Sequence, residues 1–264
     1  MFPGFEIFGK FIASYSICAL IGIFTACPIA IHYFKKFTGD DISMIFVFLF
    51  SAIGVFVGMH LLYGITNIQY WHILFEAKGF VDFWERFAAV FGGSVFYGGL
   101  IGGLIAGGIT IKVNKLPAGV VCDCAAPAIA LMHGIMRVGC FLGGCCYGIE
   151  WEHGVTFTNS LVESANGVPR VPVQLFEAGF EILLFLALWI LLSKTDKLKG
   201  SLLPLYLLIY PVGRFLLEFL RGDDYRGFIF GLSTSQFISV ILFTGSVVYF
   251  IVKVVKNRKP PKEA

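Results

Sequence analysis

Charged side chains are scarce in this chain of 264 residues. Asp, Glu, Lys and Arg make up 14% of it, whereas an ordinary globular protein has about 25%. Hydrophobic residues reach 57%, and the mean hydropathy is +0.82. These proportions exclude a soluble domain and place the chain in a lipid bilayer. The net charge of only +3 also argues against a nucleic-acid partner.

Linkers, repeats and a signal peptide are also absent. No Gly/Ser-rich stretch or internal repeat divides the chain, which predicts a single polytopic membrane domain over residues 1–264. No basic segment precedes the first apolar run, and that run is too long for a cleaved signal peptide. The first apolar segment is therefore expected to stay as a transmembrane helix.

Long apolar segments account for most of the sequence. About 20 such residues cross a bilayer as a helix, and seven segments approach this length: 11–31, 42–65, 95–113, 118–134, 171–192, 202–220 and 228–252. We therefore expect an all-α integral membrane protein with about seven transmembrane helices. The fourth segment is short and contains Pro127, which predicts a kinked or partly re-entrant element.

The distribution of basic residues predicts the orientation. One alternating set of loops holds twelve Lys and Arg residues against four acidic ones, a balance of +8. The rest of the chain holds eight basic residues against thirteen acidic ones, a balance of −5. Because basic loops stay in the cytoplasm, the C-terminus is predicted to be cytoplasmic and the N-terminus to lie outside.

The sixth segment carries a polar face. Tyr206, Tyr210, Arg214, Glu218 and Arg221 recur at spacings that place them on one side of a helix. Placing an Arg in the hydrocarbon costs about 2.5–3.5 kcal/mol on insertion scales, so it must gain a partner there. Either Arg214 forms an ion pair with Glu218 that fixes the helix to a neighbour, or Glu218 holds the guanidinium for an anionic lipid headgroup.

Two more segments contain polar residues among apolar ones. Gln174, Glu177 and Glu181 share one face of the fifth segment, as a hydrogen-bonded seam or as part of a site. His60 in the second segment forms either an interhelical hydrogen bond or a headgroup contact.

Glycines crowd the third segment. Their four-residue spacing predicts close helix packing. At the outer end, Gly98 and Gly99 beside Tyr97 could also offer backbone N–H groups to a phosphate.

The densest group of unusual residues is HGIMRVGCFLGGCCYG, residues 133–148. We expect it to be a loop that lines a site, with Arg137 and the cysteines Cys140, Cys145 and Cys146. A disulfide, small buried residues and a reactive thiolate beside Arg137 are three interpretations of the cysteines, and we favour a structural role. No C-x2-C pair or zinc-type His spacing is present, so no metal site is predicted.

An ordered series of motifs resembles the prolipoprotein diacylglyceryl transferase family. The motifs are GMHLLY, GGSVFYGGLIGG, MRVGCFLGGCCYG, VPVQLFEA, YPVGRFLLEFLR and GLSTSQFIS, and they cover most of the chain. The resemblance implies helices around a lipid-accessible cavity in a bacterial cytoplasmic membrane. It also implies transfer of the diacylglyceryl group of phosphatidylglycerol to the lipobox cysteine of a lipoprotein precursor. The partners are then these two substrates and membrane lipid, and no cofactor is expected.

The resemblance also implies site residues. The catalytic set is Arg137, Arg214, Tyr97 and Tyr210. The substrate-binding set is Gly98, Gly99, Gly139, Gly148, Gln174, Glu177, Glu218, Arg221 and His60.

Several family positions are changed together. Tyr97 stands where the family has His, Cys140 and Gly143 where it has Asn, Cys145 where it has Glu, and His60 where it has Arg. An unperturbed tyrosine has a pKa of about 10 and is a poor proton acceptor at neutral pH. Three readings stay open: a lipoprotein-modifying enzyme with a variant site, a paralogue with another acceptor and Cys140 or Cys145 as nucleophile, and a non-catalytic protein that binds or moves phospholipid.

Overall fold

A computed structural model describes residues 1–160, 162–195, 198–223 and 227–258. The helices are α1 (Ser14–Thr38), α2 (Ile42–Thr66), α3 (His72–Phe75), α4 (Phe80–Phe91), α5 (Phe96–Val113), α6 (Ala118–Gly143), α7 (Val173–Lys194), α8 (Leu202–Leu217) and α9 (Thr234–Arg258). Antiparallel strands form three hairpins: β1 (Gly4–Ile7) with β2 (Lys10–Ala13), β3 (Glu150–Thr156) with β4 (Pro169–Arg170), and β5 (Phe228–Ile229) with β6 (Leu232–Ser233).

The helical membrane fold is confirmed. Seven of these helices are long and apolar enough to cross a membrane, namely α1, α2 and α5 to α9. Each matches one of the seven segments predicted from hydropathy. Of the basic residues behind the predicted orientation, Lys197, Lys259 and Lys262 lie outside the described residues. The orientation of the termini stays a prediction.

The predicted start is wrong for the first and last spans. Residues 11–13 and 228–233 belong to the predicted apolar segments, but they form parts of hairpins before α1 and α9. Each of these hairpins turns through a Phe-Gly pair with positive φ, Phe8-Gly9 and Phe230-Gly231. Two consecutive left-handed residues are typical of a tight two-residue hairpin turn. The residues on either side of each turn therefore pair as strands, and the helix begins only after the second strand.

The expectation of a short or re-entrant fourth segment is also wrong. Helix α6 is continuous over 26 residues and contains Pro127 in its interior. It runs past the apolar segment through Arg137 and Cys140, which were expected in a loop. Buried acidic partners on α7 allow His133 and Arg137 to stay helical at this depth.

The described chain forms two compact units. One comprises Phe34–Val121, and the other comprises Met1–Tyr33 with the described residues from Cys122 onward. Within the first of these, α2 and α5 cross at glycines: a Cβ on Gly98 would lie 2.2 Å from the carbonyl oxygen of Gly58. This contact confirms the predicted close packing of the glycine-rich segment. The single domain stays a prediction.

In the second unit, α6, α7 and α8 share an apolar core. Ala130, Leu184, Leu188 and Tyr206 are among its buried members. At one end of this core, Asp123 on α6 accepts hydrogen bonds from the backbone N–H groups of Gly200 and Leu202. The carboxylate thus satisfies free N–H groups at the start of α8. These contacts fix the register of the polar residues further along the same helices.

Candidate functional site

A buried carboxylate on α7 forms the centre of the candidate site. Glu177 is 1% exposed. Its Oε1 lies 3.0 Å from Arg137 Nη2 and 3.7 Å from Arg214 Nε, and it accepts a hydrogen bond of 3.2 Å from the hydroxyl of Tyr210. Arg137 and Arg214 are far apart in the sequence, and the structure brings both to one side chain. Three of the four residues predicted to be catalytic therefore meet at Glu177.

A second carboxylate lies one turn further along α7. Glu181 is fully buried, and its Oε1 lies 2.6 Å from His133 Nδ1 and 3.0 Å from the hydroxyl of Tyr206. His133 Nε2 is 3.8 Å from Glu177 Oε1. Both ring nitrogens of His133 are thus directed at carboxylates of this cluster.

The sequence did not single out His133 as a site residue, although a signal for it exists. His133 and Arg137 are four residues apart on α6, and Glu177 and Glu181 are four residues apart on α7. On antiparallel helices, equal spacing pairs the first residue of one helix with the second of the other. Such a pairing is predicted when one span has a His and an Arg four residues apart and the next span has two acidic residues at the same spacing.

Arg214 has two further contacts. Its Nη1 lies 2.6 Å from Glu218 Oε2 at a spacing of four residues, and its Nη2 donates a hydrogen bond of 2.9 Å to Ser235 Oγ. The predicted Arg214–Glu218 ion pair is confirmed. Ser235 was not predicted to belong to the site; it lies in the first turn of α9, within the quoted motif GLSTSQFIS.

Three buried polar atoms in this cluster have neither a hydrogen bond nor an ion pair among the described residues. They are Arg137 Nε, Gln174 Oε1 and Glu181 Oε2. The Gln174 side chain is otherwise fixed, because its Nε2 donates a hydrogen bond of 2.7 Å to the carbonyl oxygen of Cys145. An unsatisfied buried donor or acceptor costs about 1–3 kcal/mol. One N–H and two oxygens are therefore available to polar ligands.

The cysteines lie where α6 ends. Gly144 and Cys146 have positive φ, of 74° and 59°, and the Cys145 N–H donates a hydrogen bond of 3.1 Å to the carbonyl oxygen of Cys140. This turn brings the sulfur atoms of Cys140, Cys145 and Cys146 within 4.8 Å of one another. All seven cysteines of the chain are free thiols, so the structure contains no disulfide at this turn. We call these three residues the thiol cluster.

The two thiols of the cluster that lie beyond α6 differ. The hydrogen bond with Cys140 lowers the pKa of Cys145, but the hydrogen bond with Cys146 and burial outweigh it and raise that pKa to about 11. Hydrogen bonds from the thiols of Cys140 and Cys145, followed by the charges of Arg221 and Arg137, lower the pKa of the Cys146 thiol below its ordinary value. Arg221 is held by two hydrogen bonds of 2.7 Å to the carboxylate of Asp223. Its backbone pairs with Gly148, which anchors the end of the turn.

Two predicted substrate-binding glycines of this region have packing roles. A Cβ on Gly139 would lie 2.9 Å from Cys18 Cβ, and a Cβ on Gly148 would lie 2.4 Å from the carbonyl oxygen of Val171. Protein atoms thus occupy the space beside both residues. This close packing accounts for glycine at both positions without a ligand.

The remaining predicted residues belong to the other unit. The Nδ1 of His60 lies 2.8 Å from the carbonyl oxygens of Phe91 and Gly93, which matches the hydrogen-bonded alternative. The backbone N–H groups of Gly98 and Gly99 both donate to the carbonyl oxygen of Val95. The expectation that they are free for a phosphate is wrong, because the first turn of α5 uses them. The Tyr97 ring packs edge-on against Phe96.

Known proteins resemble this chain along almost its whole length. The family model described as prolipoprotein diacylglyceryl transferase matches residues 4–252. A Clostridium tetani protein named phosphatidylglycerol–prolipoprotein diacylglyceryl transferase is 36% identical over 258 residues, which are 97% of this chain and 98% of that protein. A Clostridium perfringens protein of the same name, numbered 2, is 33% identical over 98% of this chain and 97% of its own length. With its seven apolar helices and a match along almost its whole length, the chain belongs to the prolipoprotein diacylglyceryl transferase family, a family of membrane transferases.

Proposed function

We propose that this protein transfers the diacylglyceryl group of phosphatidylglycerol to the cysteine thiol of a lipoprotein precursor. The names of its relatives state both substrates. The observation that carries the proposal is the convergence of Arg137 and Arg214 on the buried Glu177. Ionisable residues inside a membrane protein are rare, and they mark sites of function.

The headgroup chemistry fits two of the unpartnered atoms, Arg137 Nε and Gln174 Oε1. Phosphatidylglycerol carries a phosphodiester with one negative charge and a terminal glycerol with two hydroxyl groups. Arg137 Nε donates to a phosphate oxygen, and Gln174 Oε1 accepts from a glycerol hydroxyl. Glu177 keeps both arginines in place before the lipid arrives, so that little reorganisation accompanies binding.

The reaction develops negative charge where these arginines lie. The thiolate sulfur of the acceptor attacks the glyceryl carbon, the bond between this carbon and the phosphate oxygen breaks, and glycerol phosphate leaves with that electron pair. The phosphate changes from one negative charge to two during this step. Arg137 and Arg214 therefore stabilise the transition state more than the bound lipid, which is the condition for catalysis.

The location follows from the same substrates and from the charge distribution. The protein lies in a bacterial cytoplasmic membrane as a multi-pass protein, with its N-terminus outside and its C-terminus in the cytoplasm. This orientation places the thiol cluster and Arg137 toward the outer side, where an exported precursor presents its cysteine.

The decisive experiment uses purified protein, labelled phosphatidylglycerol and a lipobox peptide, followed by mass spectrometry of peptide, lipid and protein. We expect diacylglyceryl on the peptide, and none on a matched peptide with Ser in place of Cys. Label on the protein itself would replace the proposal with the reading in which Cys140 or Cys145 is the nucleophile. Label on neither would leave another acceptor or a non-catalytic phospholipid-binding protein.

A further inference from the structure

We propose that Cys140, Cys145 and Cys146 bind a zinc ion through three thiolates and leave its fourth position for the acceptor thiol. The proposal rests on the proposed function, because the reaction needs an acceptor thiolate. An ordinary Cys thiol has a pKa of about 8.5 and is mostly protonated at neutral pH, so the acceptor thiol must lose its proton before it attacks.

The distances between the sulfur atoms fit such a site. Zinc binds thiolate at about 2.3 Å, so three sulfurs of a tetrahedral site lie about 3.8 Å apart. All three sulfurs of the thiol cluster already lie within 4.8 Å of one another. Small side-chain rotations therefore close the site. A disulfide would join only two of the three sulfurs, at about 2 Å, and leave the third unexplained.

The backbone holds the three sulfurs together before a ligand arrives. Cys140 lies in the last turn of α6, and Cys145 is fixed to it by the backbone hydrogen bond and to Gln174 by the carbonyl contact. Cys146 adopts a left-handed conformation, which costs a residue with a side chain about 1–2 kcal/mol. This conformation directs a third thiol to a place that a helical continuation would not reach.

Two cations act on the thiol cluster. Zinc with three thiolates carries one negative charge, and a fourth thiolate makes the charge −2. The positive charges of Arg221 and Arg137 act on the Cys146 sulfur and offset part of this excess, beside their own carboxylate partners Asp223 and Glu177.

The chemistry of the acceptor fits the open position. Catalytic zinc sites have three protein ligands and one exchangeable position, and a thiol that binds the metal loses its proton. The proton passes to water, the sulfur keeps a lone pair, and this pair forms the bond to the glyceryl carbon.

The first test measures metal in the full-length protein, purified under reducing conditions in detergent. After incubation with zinc and removal of the excess, we expect about one tightly bound ion per chain. Cys145→Ala and Cys146→Ala should lose it, whereas Cys122→Ala, on the same helix α6, should keep it. Failure of the reduced wild-type protein to retain zinc would overturn the proposal, as would unchanged retention in both cluster variants.

The second test examines the open position and needs no turnover. Cobalt in place of zinc should give a thiolate-to-metal absorption band that rises by about one third when a Cys lipobox peptide adds a fourth sulfur. The matched Ser peptide should leave the band unchanged. The same spectrum with both peptides would refute binding of the acceptor at the metal.

The two proposals fail in different ways. If chelation removes zinc and the transfer to peptide continues at the full rate, the metal proposal is wrong and the proposed function stands. If zinc and the Cys peptide bind but phosphatidylglycerol is neither bound nor consumed, the proposed function is wrong and the metal site stands. Restoration of transfer by added zinc after chelation supports both proposals.

Discussion

Replacement of Arg214 by Lys tests the anion site while it retains the positive charge. The guanidinium contacts Glu218 at 2.6 Å, Ser235 at 2.9 Å and Glu177 at 3.7 Å. The Lys ammonium is a single nitrogen on a flexible stem, whereas the Arg guanidinium carries its N–H groups in a fixed planar fork. The ammonium therefore does not reach three partners that lie in different directions. We expect Arg214→Lys to keep the pair with Glu218 and to lose the hydrogen bond to Ser235 and part of the phosphate contact.

The expected magnitude follows from one lost charge-assisted hydrogen bond. Such a bond contributes about 1.5–3 kcal/mol, and Arg214 is buried, so solvent screens it little. If the bond acts in the transition state, kcat/KM falls about 10- to 150-fold. The total charge is unchanged, so the fold should persist.

The assay measures the rate of transfer to the lipobox peptide and, separately, binding of phosphatidylglycerol by native mass spectrometry. Arg86→Lys is the matched control, since Arg86 pairs with Asp82 at 2.7 Å outside the candidate site. Unchanged lipid binding and turnover in Arg214→Lys would reduce Arg214 to a structural ion pair and refute the reasoning.

Three further predictions follow from the same structure. His133→Leu should lower the unfolding temperature, because the buried Glu181 loses its partner at 2.6 Å and keeps only the hydroxyl of Tyr206, at a cost of about 1–3 kcal/mol; the double variant His133→Leu/Glu181→Leu should recover part of this loss, and equal melting temperatures of the two variants would contradict the pairing. A reporter enzyme or fluorescent protein that functions only in the cytoplasm should be active when it is fused after Ala264, and activity of a reporter that functions only outside would contradict the predicted orientation. Alkylation at the thiol cluster of the zinc-loaded protein should be slow and should accelerate on chelation, because metal-bound thiolates are shielded; fast alkylation in the presence of zinc would contradict this.

Hydropathy predicts the spans because bilayer thickness sets their length. It fails where the helix continues through polar residues, as in α6. There His133 and Arg137 are stabilised inside the protein by Glu181 and Glu177 on another helix. The hydropathy of one segment contains no information about such a partner. The polar spacing did predict the Arg214–Glu218 pair, because Glu218 directly follows the last residue of α8 and lies one turn after Arg214.

The same difference between local and distant information applies to the cysteines. The search for a zinc pattern relied on C-x2-C spacing, in which a tight turn brings two sulfurs together. Here Cys140 lies in the last turn of α6, and the chain then turns back through the left-handed residues Gly144 and Cys146. This turn places the sulfurs of Cys145 and Cys146 near that of Cys140. Gly144 permits that conformation freely, but Cys146 adopts it at a cost, which composition and spacing do not reveal.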